Sequence, residues 1–378
     1  MYFWRPTLTP HPFTEREFFL GAYRRKSIAI ALGGESDGTE EAWRGLQRLT
    51  GALTAHHTRV LLLAEGGLGD VPLPEPPGGE WLRAEEASGG EAGEETLPRL
   101  LQRVWEDGGP VTAVRLPGGA PFGERLSAAA ARLGLTRVVV TDRRGGLSDA
   151  RGRPVSYMSP ARLEKTTAAG EGSCCAQRGE ALRLVQGLLS AGVEAVSLCR
   201  LAEVERELLT YEGAGSFFAH RHYCQVRRLR FDEYPLAAAL IRRGEEEGFL
   251  LPRSRAELFA ILAHGFGAFL GGEHLAGLAA LLTAPYQRER AGELAALYTL
   301  TRFQGEGEGS RLLERIREEG RRQGLSYLFA CTRREGVERF LRRFGFVPRP
   351  AEEMPAAKWA GYDPDRRTRV HCLRLNLD

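Results

Sequence analysis

The segment Leu297–Leu313, LYTLTRFQGEGEGSRLL, decides how the second half of this chain is read. Up to Leu300 it is apolar and rich in strand formers, as a buried strand would be. Gln304-Gly305-Glu306-Gly307-Glu308-Gly309 follows, a glycine-rich turn of pattern Q-x-x-G-x-G. A helix is predicted from Arg311. With no side chains at Gly305, Gly307 and Gly309, backbone N–H groups can approach a ligand closely. The helix behind them adds unsatisfied donors and a positive dipole end. Strand, turn and helix together predict an anion cradle suited to a pyrophosphate.

Working outward, Gly292–Thr301 (GELAALYTLT) is the strand that feeds this turn. Cys224–Leu229 alternates like a strand, and Tyr234–Glu247 carries an apolar helical face. Ser254–Leu262 reads as a helix with Ser254 as N-cap and Glu257 at capping-box spacing. Phe266–Leu270 and Leu275–Leu282 form a hairpin around Gly271-Gly272. After the turn come helix Arg311–Gln323, strand Ser326–Cys331, helix Glu335–Phe344 and a closing strand Val370–Leu377.

The first half alternates strands and helices, which indicates an α/β sheet. Strands are predicted at Ser27–Leu32, Val60–Ala64, Val111–Leu116 and Arg137–Thr141, with a final one at Ala195–Cys199. Helices are predicted at Phe13–Tyr23, Thr39–Leu53, Leu97–Trp105, Glu124–Leu133 and Glu180–Ala191. Residues 65–95, rich in Gly, Glu and Pro, read as a long surface loop.

At 378 residues the chain is expected to hold two domains. No run of 18 apolar residues predicts a membrane span, and the N-terminus lacks a secretory-signal pattern. The six cysteines show no CxxC spacing. Neither a structural zinc site nor a disulfide framework is expected, and a cytoplasmic location is the default. Net charge is +3, with no basic tail, so nucleic acid is not an expected partner. Residues 221–378 hold 27 Lys+Arg against 21 Asp+Glu, a mild excess that suits anionic small molecules. The histidines, including His56-His57 and His220/His222, show no metal-ligand spacing, so no metal is expected.

Both halves resemble one family, the two-domain N-acetylglutamate synthases. The first half is similar to the amino acid kinase fold in Tyr23-Arg24-Arg25-Lys26 before SIAIALGGE, in TDRRGGLSDARGRPVSYMS (141–159) and in LLTYEGAGSFF (208–218). The second is similar to GNAT acetyltransferases in EEGFLLPRSRAEL (246–258), GELAALYTL (292–300), the glycine turn and MPAAKWAGYDPDRRTRV (354–370). The resemblance implies an α/β chain: an amino acid kinase-like open sheet over residues 1–220 and an α+β GNAT domain over 221–378. It also implies a homo-oligomer with an arginine effector.

The first half departs from a working kinase. Ala31-Leu32 stand where the family carries a phosphate-neutralising lysine before the glycine pair Gly33-Gly34. Without such a cation phosphoryl transfer cannot be stabilised, so this domain is expected to be catalytically silent. Thr210, Glu212 and Gly213 match the segment that lines the effector pocket.

For the second half the resemblance implies acetyl transfer from acetyl-CoA to the α-amino group of L-glutamate. Cofactor contacts are expected from Leu297, Tyr298, Thr299, Leu300, Gln304, Gly305, Gly307, Gly309 and Ser310, where the strand splays open. Glu293 matches the family's general base, and a carboxylate on an otherwise apolar strand is costly unless it is solvated or used. Thr332, next to Cys331, stands near the family's hydroxyl acid, with water as the alternative. The two carboxylates of the acceptor call for cations. Arg253, Lys358 and Arg366, with Thr368, are the matching residues; Arg367 and Arg369 would point to the opposite face of a strand. The same features are compatible with an acetyltransferase for another amino acid or amine, and with a non-catalytic arginine sensor.

Overall fold

A computed structural model describes residues 14–33, 38–65, 82–83, 109–116, 120–168, 178–210, 212–220, 224–270, 274–300, 308–360, 362 and 364–377. The chain divides into two compact units, Met1–Tyr223 and Cys224–Asp378.

The first unit is built on an eight-stranded sheet. Its elements are α1 (Glu15–Ala22), β1 (Ser27–Leu32), α2 (Glu40–Ala55), β2 (Arg59–Glu65), β3 (Leu82–Arg83), β4 (Val111–Leu116), α3 (Phe122–Leu133) and β5 (Arg137–Thr141). There follow β6 (Leu147–Ser148), β7 (Pro154–Val155), β8 (Tyr157–Met158), α4 (Pro160–Ala168), α5 (Gly179–Ser190), β9 (Ala195–Cys199), α6 (Val204–Leu209) and β10 (Ser216–Ala219). Strand order is β3-β4-β2-β1-β5-β9-β10-β8, parallel except where β10 runs against β9. The central strands SIAIAL, RVLLLAE and RVVVT are buried nearly throughout, as parallel strands covered on both faces must be.

Three expectations change here. Ala195–Cys199 is not the last strand, because β10 returns beside it after α6. The segment 65–95, read as loop, contributes the short strand β3 to the sheet edge. Helix α4 was not foreseen; only Leu163 of PARLEKTTA is buried, so its apolar period is faint. The expected helix at 97–105 lies outside the described residues.

The second unit carries the sheet β11-β12-β13-β14-β15-β17-β16. Its elements are β11 (Cys224–Arg228), α7 (Tyr234–Glu246), α8 (Arg255–Ala263), β12 (Gly265–Leu270), β13 (His274–Leu282), β14 (Ala291–Thr299), α9 (Glu308–Arg322), β15 (Tyr327–Thr332), α10 (Glu335–Arg343), β16 (Val347–Arg349), α11 (Pro364–Arg367) and β17 (His371–Asn376). Ser254 caps α8 and Glu257 closes the reciprocal hydrogen bond, as the spacing predicts. Helix α9 packs Leu312, Leu313 and Ile316 into a core with Phe266, Leu328 and Leu373. Large side chains buried there contribute about 1.5–3 kcal/mol each. The tip Gly271-Gly272 of the hairpin lies outside the described residues.

Arg228, Arg315, Arg322 and Gln323 converge on Glu319, a carboxylate only 1% exposed. The Arg322 hydrogen bond, with Gln323 and Arg228 beside it, outweighs burial and holds its carboxyl down to about 2.

Candidate active site

The sheet of the second unit is open in the middle. Strands β14 and β15 are parallel but pair only at Ala291–Tyr327, Gly292–Leu328 and Glu293–Phe329. Beyond Glu293 the two strands have no mutual register, although β14 runs on to Thr299 and β15 to Thr332. A bulge marks the same stretch. Ala280 pairs with Ala295 and Leu278 with Tyr298, so Ala296 and Leu297 together oppose Ala279. Ala296 takes a φ of +52°, an unfavourable region for a residue with a Cβ. Over Leu294–Tyr298 the β15 side of β14 thus has no strand partner among the described residues.

Helix α9 begins beside this opening. A Cβ added to Gly309 would lie 3.9 Å from Thr299 Cγ2 and 3.5 Å from the Phe340 ring, which are ordinary contacts. Packing alone therefore does not demand glycine there. Leu300 is buried and its N–H donates to the Ala276 carbonyl at 2.8 Å. The Tyr298 hydroxyl is committed to Glu247 at 2.7 Å, so only its backbone faces the opening's chemistry. Gln304, Gly305 and Gly307 lie outside the described residues; Gly309 and Ser310 form the first turn of α9.

Glu293 stands at the last paired position, where the strands part, and is 8% exposed. Both of its oxygens are held. The Lys358 ammonium donates to Oε1 at 2.5 Å and the Tyr286 hydroxyl donates to Oε2 at 2.6 Å. The two donors come from short turns, Ala284–Tyr286 and Ala356–Trp359, that pack against each other. Burial alone would lower Lys358, but the Glu293 charge and hydrogen bond outweigh it and keep the ammonium above its ordinary value. Burial, and then the Glu293 charge, push the Tyr286 hydroxyl up, so it stays a donor.

Arg253 precedes α8. Its N–H donates to Glu245, while its side-chain Nε is buried with no hydrogen-bond partner among the described residues. Ser254 first, and then the charges of Arg253 and Lys358, hold the Glu257 carboxyl below its usual value. Arg253 and Lys358 thus both act on Glu257, and Lys358 is also the partner of Glu293.

Thr332 ends β15 on the far bank of the opening. Its Oγ1 accepts from the Arg334 N–H at 3.1 Å, which leaves the hydroxyl proton uncommitted in that bond. Cys331 lies opposite Cys372 with the sulfurs 3.5 Å apart. Contact with Cys372, then burial, push the Cys331 thiol up, so it is a poor nucleophile.

Other expected residues fall differently. Thr368 Oγ1 donates to the Asp365 carbonyl in the turn after α11. Residues 364–367 are a helix, not a strand, so alternation across strand faces does not apply to Arg366 and Arg367. The backbone of Arg366 lies in α11 and its side chain is outside the described residues. Arg367 stacks on Trp359 at 4.7 Å. In the first unit Thr210 Oγ1 donates to the Arg206 carbonyl and accepts from the Gly213 N–H, closing the turn after α6. Gly213 has a φ of +64°, and Glu212 pairs with Arg206 at the surface. Ala31 and Leu32 are buried and bring no cation to the end of β1.

Tyr286 was not anticipated. The signal was slight, one tyrosine in an Ala-Pro-Tyr turn seven residues before Glu293. The pairing of Lys358 with Glu293, 65 residues apart, was also not foreseen.

An opened parallel pair, a bulged strand and a helix N-terminus beside it make up the arrangement that this unit offers a ligand. Residues 225–346 match the acetyltransferase (GNAT) family. The chain is similar to the amino-acid acetyltransferase of Neisseria meningitidis serogroup B, 33% identical over 219 residues, covering 54% of this chain and 48% of that one. It is 29% identical over 245 residues to the amino-acid acetyltransferase of Pseudomonas putida, covering 64% and 55%. The chain thus spans about half the length of the curated relatives it matches. Its fold is that of the Neisseria gonorrhoeae N-acetylglutamate synthase crystallised with coenzyme A and L-arginine: TM-score 0.59 at 20% identity, over 96% of this chain and 98% of that one. No group of His, Cys, Asp and Glu among the described residues has the arrangement of a metal site, and no described helix is long and apolar enough to cross a membrane.

Proposed function

We propose that this chain is an N-acetylglutamate synthase, transferring the acetyl group of acetyl-CoA to the α-amino group of L-glutamate, the entry reaction of arginine biosynthesis. The observation that carries the reading is the opening between β14 and β15 with Glu293 at its apex. Acetyl-CoA fits there because an unpaired strand edge can hydrogen-bond an amide-bearing arm. The N-terminus of α9 then lies where the pyrophosphate would be held. Gly309, which packing does not require, leaves room for that approach.

The thioester supplies the activated acyl group. Backbone N–H groups of Leu294–Tyr298 on the side that β15 leaves open position it and polarise its carbonyl. Glu293 takes a proton from the incoming ammonium, which otherwise has no lone pair to attack with. Lys358 beside it favours the neutral amine, because a cation near a cation stabilises the uncharged form. On acylation the nitrogen sheds its second proton, which the Thr332 hydroxyl relays to the leaving thiolate. Arg253, with its unsatisfied Nε, and Arg366 hold the acceptor carboxylates. The protonated Cys331 thiol favours direct transfer over an acyl-cysteine.

The first unit is read as an amino acid kinase-like domain without phosphoryl transfer, binding L-arginine as effector in a cytoplasmic homo-oligomer. The turn at Thr210–Gly213 shapes that pocket through its backbone.

The test is free-thiol release from acetyl-CoA across a panel of amino acids and amines, with and without L-arginine. Glutamate should be the best acceptor, arginine should change its rate, and Arg253→Glu should weaken glutamate far more than acetyl-CoA. Preference for another amine would refute the assigned substrate. No turnover with any acceptor, together with arginine binding, would favour a sensor.

A further inference from the structure

We infer that Tyr286 is a positioning residue for the reaction, holding Glu293 in the orientation from which it accepts the acceptor's proton. The inference rests on the reading of Glu293 as general base.

The geometry is specific to that role. Tyr286 is 4% exposed, and its hydroxyl donates to Glu293 Oε2 at 2.6 Å. Its ring meets Phe329 edge to face, centroids 4.9 Å apart. Phe329 is also the strand partner of Glu293 across β14–β15. The tyrosine is therefore braced by the same residue that fixes the backbone of the glutamate. Because burial and the neighbouring charge raise the hydroxyl, it donates throughout the working pH range. One oxygen is thereby pinned to the protein core and the carboxylate plane is set. The other oxygen, which carries Lys358, is left as the proton acceptor.

Removing that donor frees the carboxylate to rotate. Tyr286→Phe deletes only the hydroxyl and keeps the ring on Phe329. The experiment compares the unsubstituted chain with Tyr286→Phe, Glu293→Gln and the double variant by steady-state kinetics with acetyl-CoA and L-glutamate.

Tyr286→Phe should lower kcat about tenfold or more, with both KM values changed less than about twofold. In the Glu293→Gln background the same change should cost nothing further, since two residues that act as a unit are non-additive. A wild-type kcat in Tyr286→Phe, beside a strong loss in Glu293→Gln, would overturn this inference and leave the base intact. A loss of kcat that is as large in the Glu293→Gln background, with a lowered melting temperature, would assign Tyr286 to packing and also overturn it. Full activity in Glu293→Gln would overturn the base reading itself.

Discussion

Lys358→Met should expose how much the site depends on one buried ion pair. The Lys358 and Glu293 side chains are 17% and 11% exposed, and their charged atoms lie 2.5 Å apart. Methionine keeps most of the aliphatic stem and removes the charge. Breaking a buried pair by deleting one partner costs about 3–5 kcal/mol, because the other charge is left uncompensated. Here Tyr286 still donates to Oε2, and a hydrogen bond to a charged group retains about 1.5–3 kcal/mol. Lys358→Met should therefore fall at the low end, about 3 kcal/mol. In Glu293→Gln plus Lys358→Met no charge remains buried, so the double variant should be more stable than Lys358→Met alone. The coupling between the two sites should be at least about 2 kcal/mol. Amide hydrogen exchange of the full chain, resolved by mass spectrometry on peptides from β15 and β17, reads the opening free energy of the second unit without assuming that both units unfold together. Additivity within about 0.5 kcal/mol would refute the claim that the two side chains form one electrostatic unit.

Three other perturbations probe the frame. Glu319 ionises near 2 in the fold against an ordinary 4.5. Its stabilisation, about 3 kcal/mol, is complete above pH 4.5 and is lost as pH falls toward 2. Glu319→Gln should flatten that part of an acid-unfolding curve. Gly277→Ala would place a Cβ 2.7 Å from Thr299 Cγ2 and 3.1 Å from the Tyr298 carbonyl. It should cost about 1–3 kcal/mol and raise KM for acetyl-CoA by disturbing the bulged strand, read by thermal melts and steady-state kinetics. Cys331→Ser should keep turnover, and initial-velocity patterns should intersect; parallel lines would show an acyl-enzyme.

Much of the frame was legible because long apolar segments leave little choice. Ser27–Leu32, Arg137–Thr141 and Ala195–Cys199 are strands with the expected limits, since both faces are buried and the run itself is the signal. Ser254 and Glu257 announced α8 through a local hydrogen-bond pair. Strands such as β6, β7 and β8 are only two residues long, too short for any period to register. The left-handed turn at Ala296 carries no compositional mark, because alanine is not chosen for positive φ. Glu293 could be singled out as an acid on an apolar strand. Its partners could not, because Tyr286 and Lys358 arrive from short 3₁₀ turns that only tertiary packing brings together.

The most direct measurement is hydrogen exchange of the full chain with and without coenzyme A. Protection centred on residues 294–298, the glycine turn and the start of α9 is predicted, because the ligand would supply the hydrogen bonds that β15 does not. Unchanged exchange there with saturating coenzyme A, or protection centred on the first unit, would contradict the account.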